Sequence, residues 1–321
     1  MLILTFPQKR KTMRNIFFTI LIAVTINACS QEEKTVYLFS CFKGKGADGL
    51  HLAYSTDGYK FTPLKGDSSF LVPELTDDKL MRDPCIIRGP DDLFHLVWTV
   101  SWWDKGIGHA TSKDLINWSE QQYIPVMEYE PETRNSWAPE LFYDEVTEQY
   151  LIYWSSTIPG KFTETDSSAE SGLNHRIYCT TTRDFKTFTE TKLFYDPGYC
   201  AIDATIQKDG DTYLMFIKNE TKFPEVAKDI RLVTSKNLMG PYEDAGKPFS
   251  PSWSEGPTAI KIGDDWIVYY DMYRQKKMNA MKSSDLKIWT DISDQIEFPE
   301  GTRHGTIFRV SQRILDNLLQ Q

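Results

Sequence analysis

The stretch Ser112-Lys-Asp-Leu-Ile-Asn-Trp118 decides the fold, because the same pattern occurs five times along the chain. The other copies are Ser55-Thr-Asp-Gly-Tyr-Lys-Phe61, Thr182-Arg-Asp-Phe-Lys-Thr-Phe188, Ser235-Lys-Asn-Leu-Met-Gly-Pro-Tyr242 and Ser283-Ser-Asp-Leu-Lys-Ile-Trp289. The Asp or Asn of each copy can bond its own backbone in a tight turn, and the closing aromatic residue begins a strand. Regular repetition of such turns indicates a ring of similar β-sheet units.

The segments around each turn complete a four-stranded unit. Before each turn lie an apolar run, such as Leu93 to Val100, and an alternating run, such as Gly108-His-Ala-Thr. A further strand opens four of the units: Asp83-Pro-Cys-Ile-Ile-Arg, Trp137-Ala-Pro-Glu-Leu-Phe-Tyr, Ile202-Asp-Ala-Thr-Ile-Gln and Glu255-Gly-Pro-Thr-Ala-Ile-Lys. The fifth opening strand is missing near Val36-Tyr-Leu-Phe-Ser and is found at the other end of the chain as His304-Gly-Thr-Ile-Phe-Arg-Val.

These patterns predict an all-β fold, a five-bladed β-propeller that occupies residues 35–321 as a single domain. Its closing blade combines N-terminal strands with the C-terminal strand, which removes an exposed sheet edge. Residues 311–321 are expected to form a short terminal helix.

The N-terminal segment has the pattern of an export signal. Basic residues between Lys9 and Arg14 precede an apolar run from Ile16 to Ile26, which is too short to span a bilayer and suits a signal-peptide core. The following Ile26-Asn27-Ala28-Cys29 resembles the lipobox of bacterial lipoproteins. We therefore predict a signal and lipoprotein segment at 1–29, a tether at 30–34 and an exported protein held to the cell envelope by lipid. Asn27 departs from the usual small or apolar residue, which leaves plain secretion open, and Met13 is an alternative start.

Composition argues against a nucleic-acid partner. The 321 residues include 36 Lys and Arg against 45 Asp and Glu, so the net charge of -9 provides no basic field for a phosphate backbone. Four further cysteines, Cys41, Cys85, Cys179 and Cys200, lack metal-ligand spacing. They are either small buried hydrophobic residues or disulfide partners in an exported protein. We expect the chain to be a monomer.

Acidic residues lie near the starts of the opening strands. The first strand of each blade is nearest the propeller axis, so Asp83, Glu140, Asp203 and Glu255 are expected to converge with His304 at one end of the channel. The loops between second and third strands open on the same face, and the long 155–175 loop favours a closed pocket. Three carboxylates around one pocket suit glycoside hydrolysis, in which one activates water, one donates a proton and a third can keep that proton in place by charge repulsion.

The same segments resemble glycoside hydrolase family 43, which includes bacterial arabinofuranosidases and xylosidases. The resemblance is carried, in order, by Arg82-Asp-Pro-Cys-Ile-Ile-Arg88, Trp137-Ala-Pro-Glu140, Ala201-Ile-Asp-Ala-Thr205, Glu255-Gly-Pro-Thr258 and Arg303-His-Gly-Thr306. It implies an inverting mechanism in which Asp83 is the general base, Glu255 the general acid and Asp203 the residue that orients the acid and tunes its pKa. The family often has Asp-Pro at Asp203-Ala204 and Asp at Glu140, so the subfamily and its sugar stay open.

Further residues are candidates for the substrate pocket. Trp102, Trp103 and Trp137 either line it or pack in the fold, and Arg274 either donates to sugar hydroxyls or is a solvated loop residue. Glu140 is a further candidate for contact with the substrate. His304 matches a histidine that in relatives can contact calcium or a water network, so it is either a contact of a structural calcium ion near the axis or a residue that caps the channel. No cofactor is required.

We expect an exo-acting enzyme that releases a terminal sugar, with α-L-arabinofuranose first and β-D-xylose or D-galactose as alternatives. A glycan-binding lipoprotein with a decayed site is the main rival; it would bind glycans without turnover. A sialidase is disfavoured, since no arginine cluster and tyrosine nucleophile lie at the strand starts. A protein-binding scaffold would leave the converging acids unexplained.

Overall fold

The computed structural model describes residues 1–3, 5, 35–244 and 246–321. The predicted lipobox and the tether at 30–34 lie outside the described residues, as does nearly all of the predicted signal segment. Within the described part of the chain, no helix is both long enough and apolar enough to span a bilayer.

The five repeated turns join the third and fourth strands of successive sheets, as predicted. In the copy that decides the fold, the Asp114 carboxylate accepts hydrogen bonds from the backbone N–H groups of Ile116 (2.9 Å) and Asn117 (2.8 Å). The Ser112 hydroxyl accepts from the N–H of Leu115 at 2.8 Å, and Leu115 has a φ of 64°. This turn therefore needs a short acceptor side chain at its first and third positions, which explains the recurring Ser/Thr-x-Asp/Asn pattern.

The strands form five antiparallel sheets of four, so the predicted five-bladed β-propeller is confirmed. Blade one begins with β1 Thr35–Cys41, β2 His51–Ser55 and β3 Thr62–Pro63. Blade two contains β4 Arg82–Arg88, β5 Phe94–Thr99, β6 Ile107–Ser112 and β7 Gln122–Ile124. Blade three contains β8 Trp137–Asp144, β9 Gln149–Thr157, β10 His175–Thr182 and β11 Lys192–Tyr195. Blade four contains β12 Ala201–Asp209, β13 Thr212–Asn219, β14 Asp229–Ser235 and β15 Glu243–Asp244. Blade five contains β16 Glu255–Ile262, β17 Asp265–Met272, β18 Lys277–Ser283 and β19 Thr290–Asp291.

Blade one is completed from the other end of the chain. Strand β20, Ile307–Ser311, pairs antiparallel with β1, with Leu38 opposite Phe308, so the ring closes as predicted. A single α-helix among the described residues, α1 Gln312–Leu318, follows β20 and buries Ile314, Leu315 and Leu318.

Each interface between neighbouring blades holds its own apolar cluster, so the described part of the chain has five clusters arranged around the ring. Leu38 and Trp98 pack between blades one and two, and Phe216 and Val268 pack between blades four and five. The four cysteines after residue 35 are free and buried, which matches their interpretation as small hydrophobic residues. Burial of these clusters fixes neighbouring blades against each other and so fixes the axial ends of their innermost strands.

Four innermost strands begin with a β-bulge, which the sequence did not predict. The register shifts occur between Arg82 and Cys85, Trp137 and Glu140, Ile202 and Thr205, and Glu255 and Thr258. The second residue of each bulge has a positive φ: 51° at Asp83, 48° at Ala138, 53° at Asp203 and 57° at Gly256. Left-handed backbone costs a residue with a Cβ about 1–2 kcal/mol. Bulges beside sites often redirect side chains, and here they occur where the acidic residues lie.

Candidate active site

A cavity of about 380 Å³ lies where the innermost strands begin. Its wall includes Asp83 of β4, Asp203 of β12 and Glu255 of β16, so three blades each contribute one of the predicted catalytic carboxyl groups. Residues far apart in sequence are brought together because each occupies the bulge at the start of its blade's innermost strand. Asp83 and Asp203 take the second bulge position and Glu255 takes the first.

Asp83 is held as an anion by His304. Nδ1 of His304 lies 3.3 Å from one carboxylate oxygen, and the Thr99 hydroxyl donates to the other at 2.9 Å. Burial alone would raise the pKa of Asp83, but the hydrogen bond and charge of His304, with smaller effects from Arg82 and Thr99, lower it to about 2. Thr99 also accepts from the backbone N–H of Ala138 at 2.8 Å, which ties the Asp83 carboxylate to the next blade.

His304 is correspondingly a cation. Burial would lower its pKa, but the hydrogen bond and negative charge of Asp83, together with Asp203 and Glu140, raise the pKa to about 9. A histidine pKa that rises on folding stabilises the native state below the unfolded value of about 6.5, and this contribution is lost as pH rises through the folded value.

This ion pair predicts an alkaline loss of stability. The charged His304 should contribute about 3 kcal/mol to the free energy of unfolding of the wild type, and most of this contribution should be lost between pH 6.5 and pH 9.5. The His304→Gln variant should lack the contribution at every pH. Urea unfolding of both proteins across this range measures the difference, in which groups common to both cancel. Parallel curves for the two proteins would contradict the assignment of a charged His304.

Asp203 has the opposite electrostatic environment. Burial raises its pKa to about 6, with the negative charges of Glu255 and Asp83 adding to the shift and the cations His304 and Lys218 opposing it. Oδ2 of Asp203 accepts the backbone N–H of Gly256 at 3.0 Å, which fixes the carboxyl group beside the strand start that bears Glu255. Two carboxyl groups of one cavity, Asp83 and Asp203, are therefore held in different protonation ranges.

Glu255 contacts two cations that sequence reasoning missed. Arg303 donates to Oε1 at 3.0 Å, and the ammonium of Lys218 lies 3.4 Å from Oε2. Each cation has a second carboxylate: Arg303 also donates to the buried Asp271, and Lys218 lies 2.7 Å from Glu220. Lys218 and Asp271 are each the last residue but one of a largely apolar strand. A charged residue in such a run is rarely buried without a partner, which is the signal that could have identified them.

The long loop after β9 reaches the site indirectly. Its residues 158–174 do not line the cavity, so the expectation that this loop encloses the pocket is not met in the described structure. Instead Glu170 pairs with the buried Lys228 at 2.8 Å, and Lys228 in turn contacts Glu220. Burial would raise the pKa of Glu220, but Lys218 and Lys228 lower it. The loop thus supports the carboxylate that holds Lys218 beside Glu255.

Gly256 is required because His304 packs against its backbone. At its φ of 57° an added Cβ would lie 2.2 Å from Cγ of His304, whereas Gly210 has the same φ of 57° and no atom within 4 Å of an added Cβ. Gly210→Ala should cost about 1 kcal/mol through backbone strain alone. Gly256→Ala should cost at least twice as much and should also reduce turnover, because it displaces the partner of Asp83.

Chemical unfolding and kinetic assays of these two variants measure the strain and the clash separately. Equal destabilisation with undiminished turnover in Gly256→Ala would show that the contact with His304 has no role.

Other predicted pocket residues are distributed unevenly. Trp102 and Trp137 line the cavity, and Nε1 of Trp137 donates to the backbone oxygen of Trp102 at 2.9 Å. Trp103, 64% exposed, lies outside the wall with its ring centroid 6.0 Å from that of Trp137. Arg274 is exposed, stacks on Trp253 and does not line the cavity.

Glu140 lies beneath the cavity rather than in its wall. It is the fourth residue of its bulge, is 5% exposed and accepts from the hydroxyls of Thr205 (3.0 Å) and Thr306 (3.2 Å). Burial raises its pKa to about 7 against the effects of His304 and these two hydroxyls. This geometry gives no support to the prediction that Glu140 contacts sugar. Glu140 instead links three blades near the axis through its two threonine partners.

His304 does not have the environment of a calcium contact. Its Nδ1 is engaged with Asp83, its raised pKa keeps it cationic, and calcium takes oxygen ligands. Among the described residues, no group of three or more His, Cys, Asp or Glu side chains is arranged to hold a metal ion. A structural calcium at this histidine therefore does not fit the residues present.

The arrangement of these acids at the end of a five-bladed ring agrees with a comparison of sequences. A family related to glycoside hydrolase family 43, described as a probable glycosyl hydrolase domain, matches residues 32–316. The chain belongs to this family. An α-L-arabinofuranosidase of Bifidobacterium longum subsp. longum is 30% identical over an alignment of 181 residues that covers 48% of this family member and 17% of that protein. The family member thus spans less than a fifth of this curated relative.

Solved structures of family 43 share the fold of this family member. A thermostable family-43 glycoside hydrolase has a TM-score of 0.53 at 17% identity, covering 70% of this chain and 78% of that chain. A family-43 β-1,3-galactosidase has a TM-score of 0.56 at 16% identity, covering 82% and 59%. An exo-β-1,3-galactanase from Phanerochaete chrysosporium has a TM-score of 0.51 at 13% identity, covering 66% and 49%.

Proposed function

We propose that this chain is an exo-acting, inverting glycoside hydrolase. The observation that carries the proposal is the cavity in which Asp83, Asp203 and Glu255 meet, with the pKa of Asp83 lowered to about 2 and that of Asp203 raised to about 6. The low pKa of Asp83 keeps one carboxylate ready as a base, and Asp203 and Glu255 place two further carboxyl groups in the same cavity. Family membership supports the same reaction class.

The inverting reaction assigns one role to each acid. The Asp83 carboxylate, ionised through His304, removes a proton from a water molecule as the water oxygen bonds to the anomeric carbon. The bond from that carbon to the leaving oxygen breaks, and Glu255 donates a proton to the oxygen. The products are one sugar of inverted configuration and the shortened glycan.

Asp203 acts on Glu255 through charge and position. Its carboxyl group is bonded to the backbone N–H of Gly256, directly after Glu255, and the negative charge of Glu255 contributes to raising the pKa of Asp203. The Asp203 carboxyl group therefore fixes the backbone of the strand start that carries the acid. Arg303 and Lys218 orient the two oxygens of Glu255.

The substrate that we propose is a terminal α-L-arabinofuranosyl unit of a plant-type polysaccharide or oligosaccharide. The cavity of about 380 Å³ is near the lower end of the usual ligand-site range of roughly 300–1,000 Å³, which suits one terminal sugar better than a long chain. The partial match to an arabinofuranosidase supports this choice of sugar. Trp102 and Trp137 provide apolar faces for sugar rings at the wall.

The N-terminal segment supports a proposed location. The signal-like run and Cys29 favour export and lipid anchoring at the bacterial cell envelope, with the propeller working as a monomer on external glycans. Mass spectrometry of the envelope-associated protein would test this, because lipidation at Cys29 adds acyl mass to a mature chain that begins there.

Hydrolysis is tested with residues 30–321 on aryl glycosides and plant oligosaccharides bearing terminal arabinofuranose, xylose or galactose. We expect release of one sugar, and the anomer of inverted configuration should be the first to appear in proton NMR spectra. Internal oligosaccharides as first products would contradict exo action, and retention of configuration would contradict the roles given to Asp83 and Glu255. Glycan binding without turnover across the panel would favour the binding-protein alternative.

A further inference from the structure

The cavity wall carries more cations than its chemistry uses. Five wall residues are basic and four are acidic: Lys45, Arg82, Lys218, Arg303 and His304 against Asp83, Asp203, Glu220 and Glu255. His304 pairs with Asp83, Arg303 with Glu255 and Asp271, and Lys218 with Glu220 and Glu255. Neither Arg82 nor Lys45 has a carboxylate within ion-pair distance among the described residues. These two cations stand out in a chain whose net charge is -9.

The guanidinium of Arg82 is held in place by aromatic rings. Its central carbon lies 4.4 Å from the ring centroid of Phe42 and 4.2 Å from that of Trp102. Phe42 is fully buried and Trp102 is a wall residue, so the stacked group is fixed at the edge of the cavity. Stacked arginine keeps its charge and presents a planar fork of N–H donors that matches a carboxylate.

Lys45 is positioned beside this arginine by the loop after β1. The Arg82 guanidinium donates to the backbone oxygen of Lys45 at 3.4 Å, and the N–H of Met81 donates to the oxygen of Gly46 at 2.8 Å. An added Cβ at Gly46 would lie 2.6 Å from the backbone oxygen of Met81, so the loop packs closely on the strand that leads to Asp83. Lys45 and Arg82 therefore lie together in one part of the cavity wall.

We propose that Arg82 and Lys45 form an anion subsite that selects glycans with a carboxylate on the sugar next to the cleaved residue. The proposal rests on the proposed hydrolase function and narrows its substrate to acidic glycans, those containing a uronic acid. Arg82 also helps to lower the pKa of Asp83, although the hydrogen bond and charge of His304 contribute more. That role concerns Arg82 alone and does not explain Lys45. A sulfate ester offers similar chemistry, and the test separates the two anions.

Binding is measured by calorimetry at low salt in a Glu255→Gln background, which slows turnover, with short oligosaccharides that end in arabinofuranose, the proposed terminal sugar. The penultimate sugar is a uronic acid, its neutral methyl ester or a sulfated sugar. A carboxylate bound through charge-assisted hydrogen bonds should bind about tenfold or more tightly than its ester. Arg82→Gln and Lys45→Met should each reduce this preference to about twofold, and Arg82→Lys should restore part of it. Lys113→Met, an exposed turn residue, is the matched control and should keep the preference.

Each result decides the proposal separately from hydrolysis. Equal affinity for acid and ester, or no measurable binding of the acid, would overturn the subsite even if the protein hydrolyses neutral glycans. A preference for sulfate over carboxylate would also overturn it as stated. A carboxylate preference that disappears in both variants, in a protein that cleaves nothing, would support the subsite while the proposed hydrolase function failed.

Discussion

Asp83→Asn is expected to lower kcat by about 10³–10⁴, the upper part of the range for general acid–base catalysis. Asparagine has nearly the same shape and can still accept from Thr99, but it cannot take a proton from water. The variant also removes the anion that keeps His304 charged, so the alkaline loss of stability described above should disappear with it. The kcat and the affinity for the same oligosaccharide should be measured together, because loss of the general base should lower kcat with little change in affinity.

Asp114→Asn provides the control for that experiment, because Asp114 makes a turn outside the cavity and asparagine occupies the same turn position at Asn237. It should keep turnover within about twofold of the wild type, as expected for a conservative change away from the site. If Asp83→Asn retained more than a tenth of the wild-type kcat, the assignment of the general base would be wrong.

Glu255→Gln is expected to have an effect that depends on the leaving group. For an oligosaccharide, whose leaving oxygen needs a proton, kcat/KM should fall by about 10²–10⁴. For an aryl glycoside with an acidic phenol, which leaves without protonation, the fall should be much smaller. Only the loss of a general acid separates the two substrates in this way.

The fold should tolerate this change. Arg303 keeps Asp271 and Lys218 keeps Glu220 as partners, so neither cation is left buried without a carboxylate. Thermal unfolding should therefore remain cooperative. An equal loss on both substrate classes would indicate that Glu255 serves binding or structure and would reassign the proton donor.

The fold could be predicted because its turns are local. The repeated Ser/Thr-x-Asp/Asn pattern satisfies its hydrogen bonds within a few residues, so five copies identify five blades before any long-range contact is known. The first strand of blade one could be predicted from the ring itself, because a ring that lacks one strand at the N-terminal end has to take it from the other end of the chain.

The position of individual side chains could not be predicted in the same way. The bulges at Asp83 and Asp203 depend on sheet register, and one residue of shift decides whether a side chain faces the cavity or lies beneath it. Glu140 is near a strand start like the other acids, yet its fourth position in the bulge buries it among threonines. Strand-start position alone was therefore not enough to assign a role to each acid.

The partners of Glu255 show a second limit. Lys218 and Asp271 come from the ends of the second strands of their blades, and Arg303 comes from the segment before β20. Their pairing depends on distances between blades, which no local pattern contains. A search for charged residues within apolar runs would have found Lys218 and Asp271 as buried groups without naming their partners.

The closing blade has a consequence for the time at which the protein becomes competent. During synthesis blades two to five and the strands β1 to β3 of blade one emerge before β20. His304 emerges directly ahead of that strand. Until β20 docks beside β1, Asp83 lacks its contact with His304, the main interaction that lowers the pKa of this carboxyl group. Pairing of Asp83 with His304 and closure of the ring therefore occur together. A chain that fails to close should therefore lack the ionised general base that the proposed reaction needs, so activity is expected only after the ring has assembled.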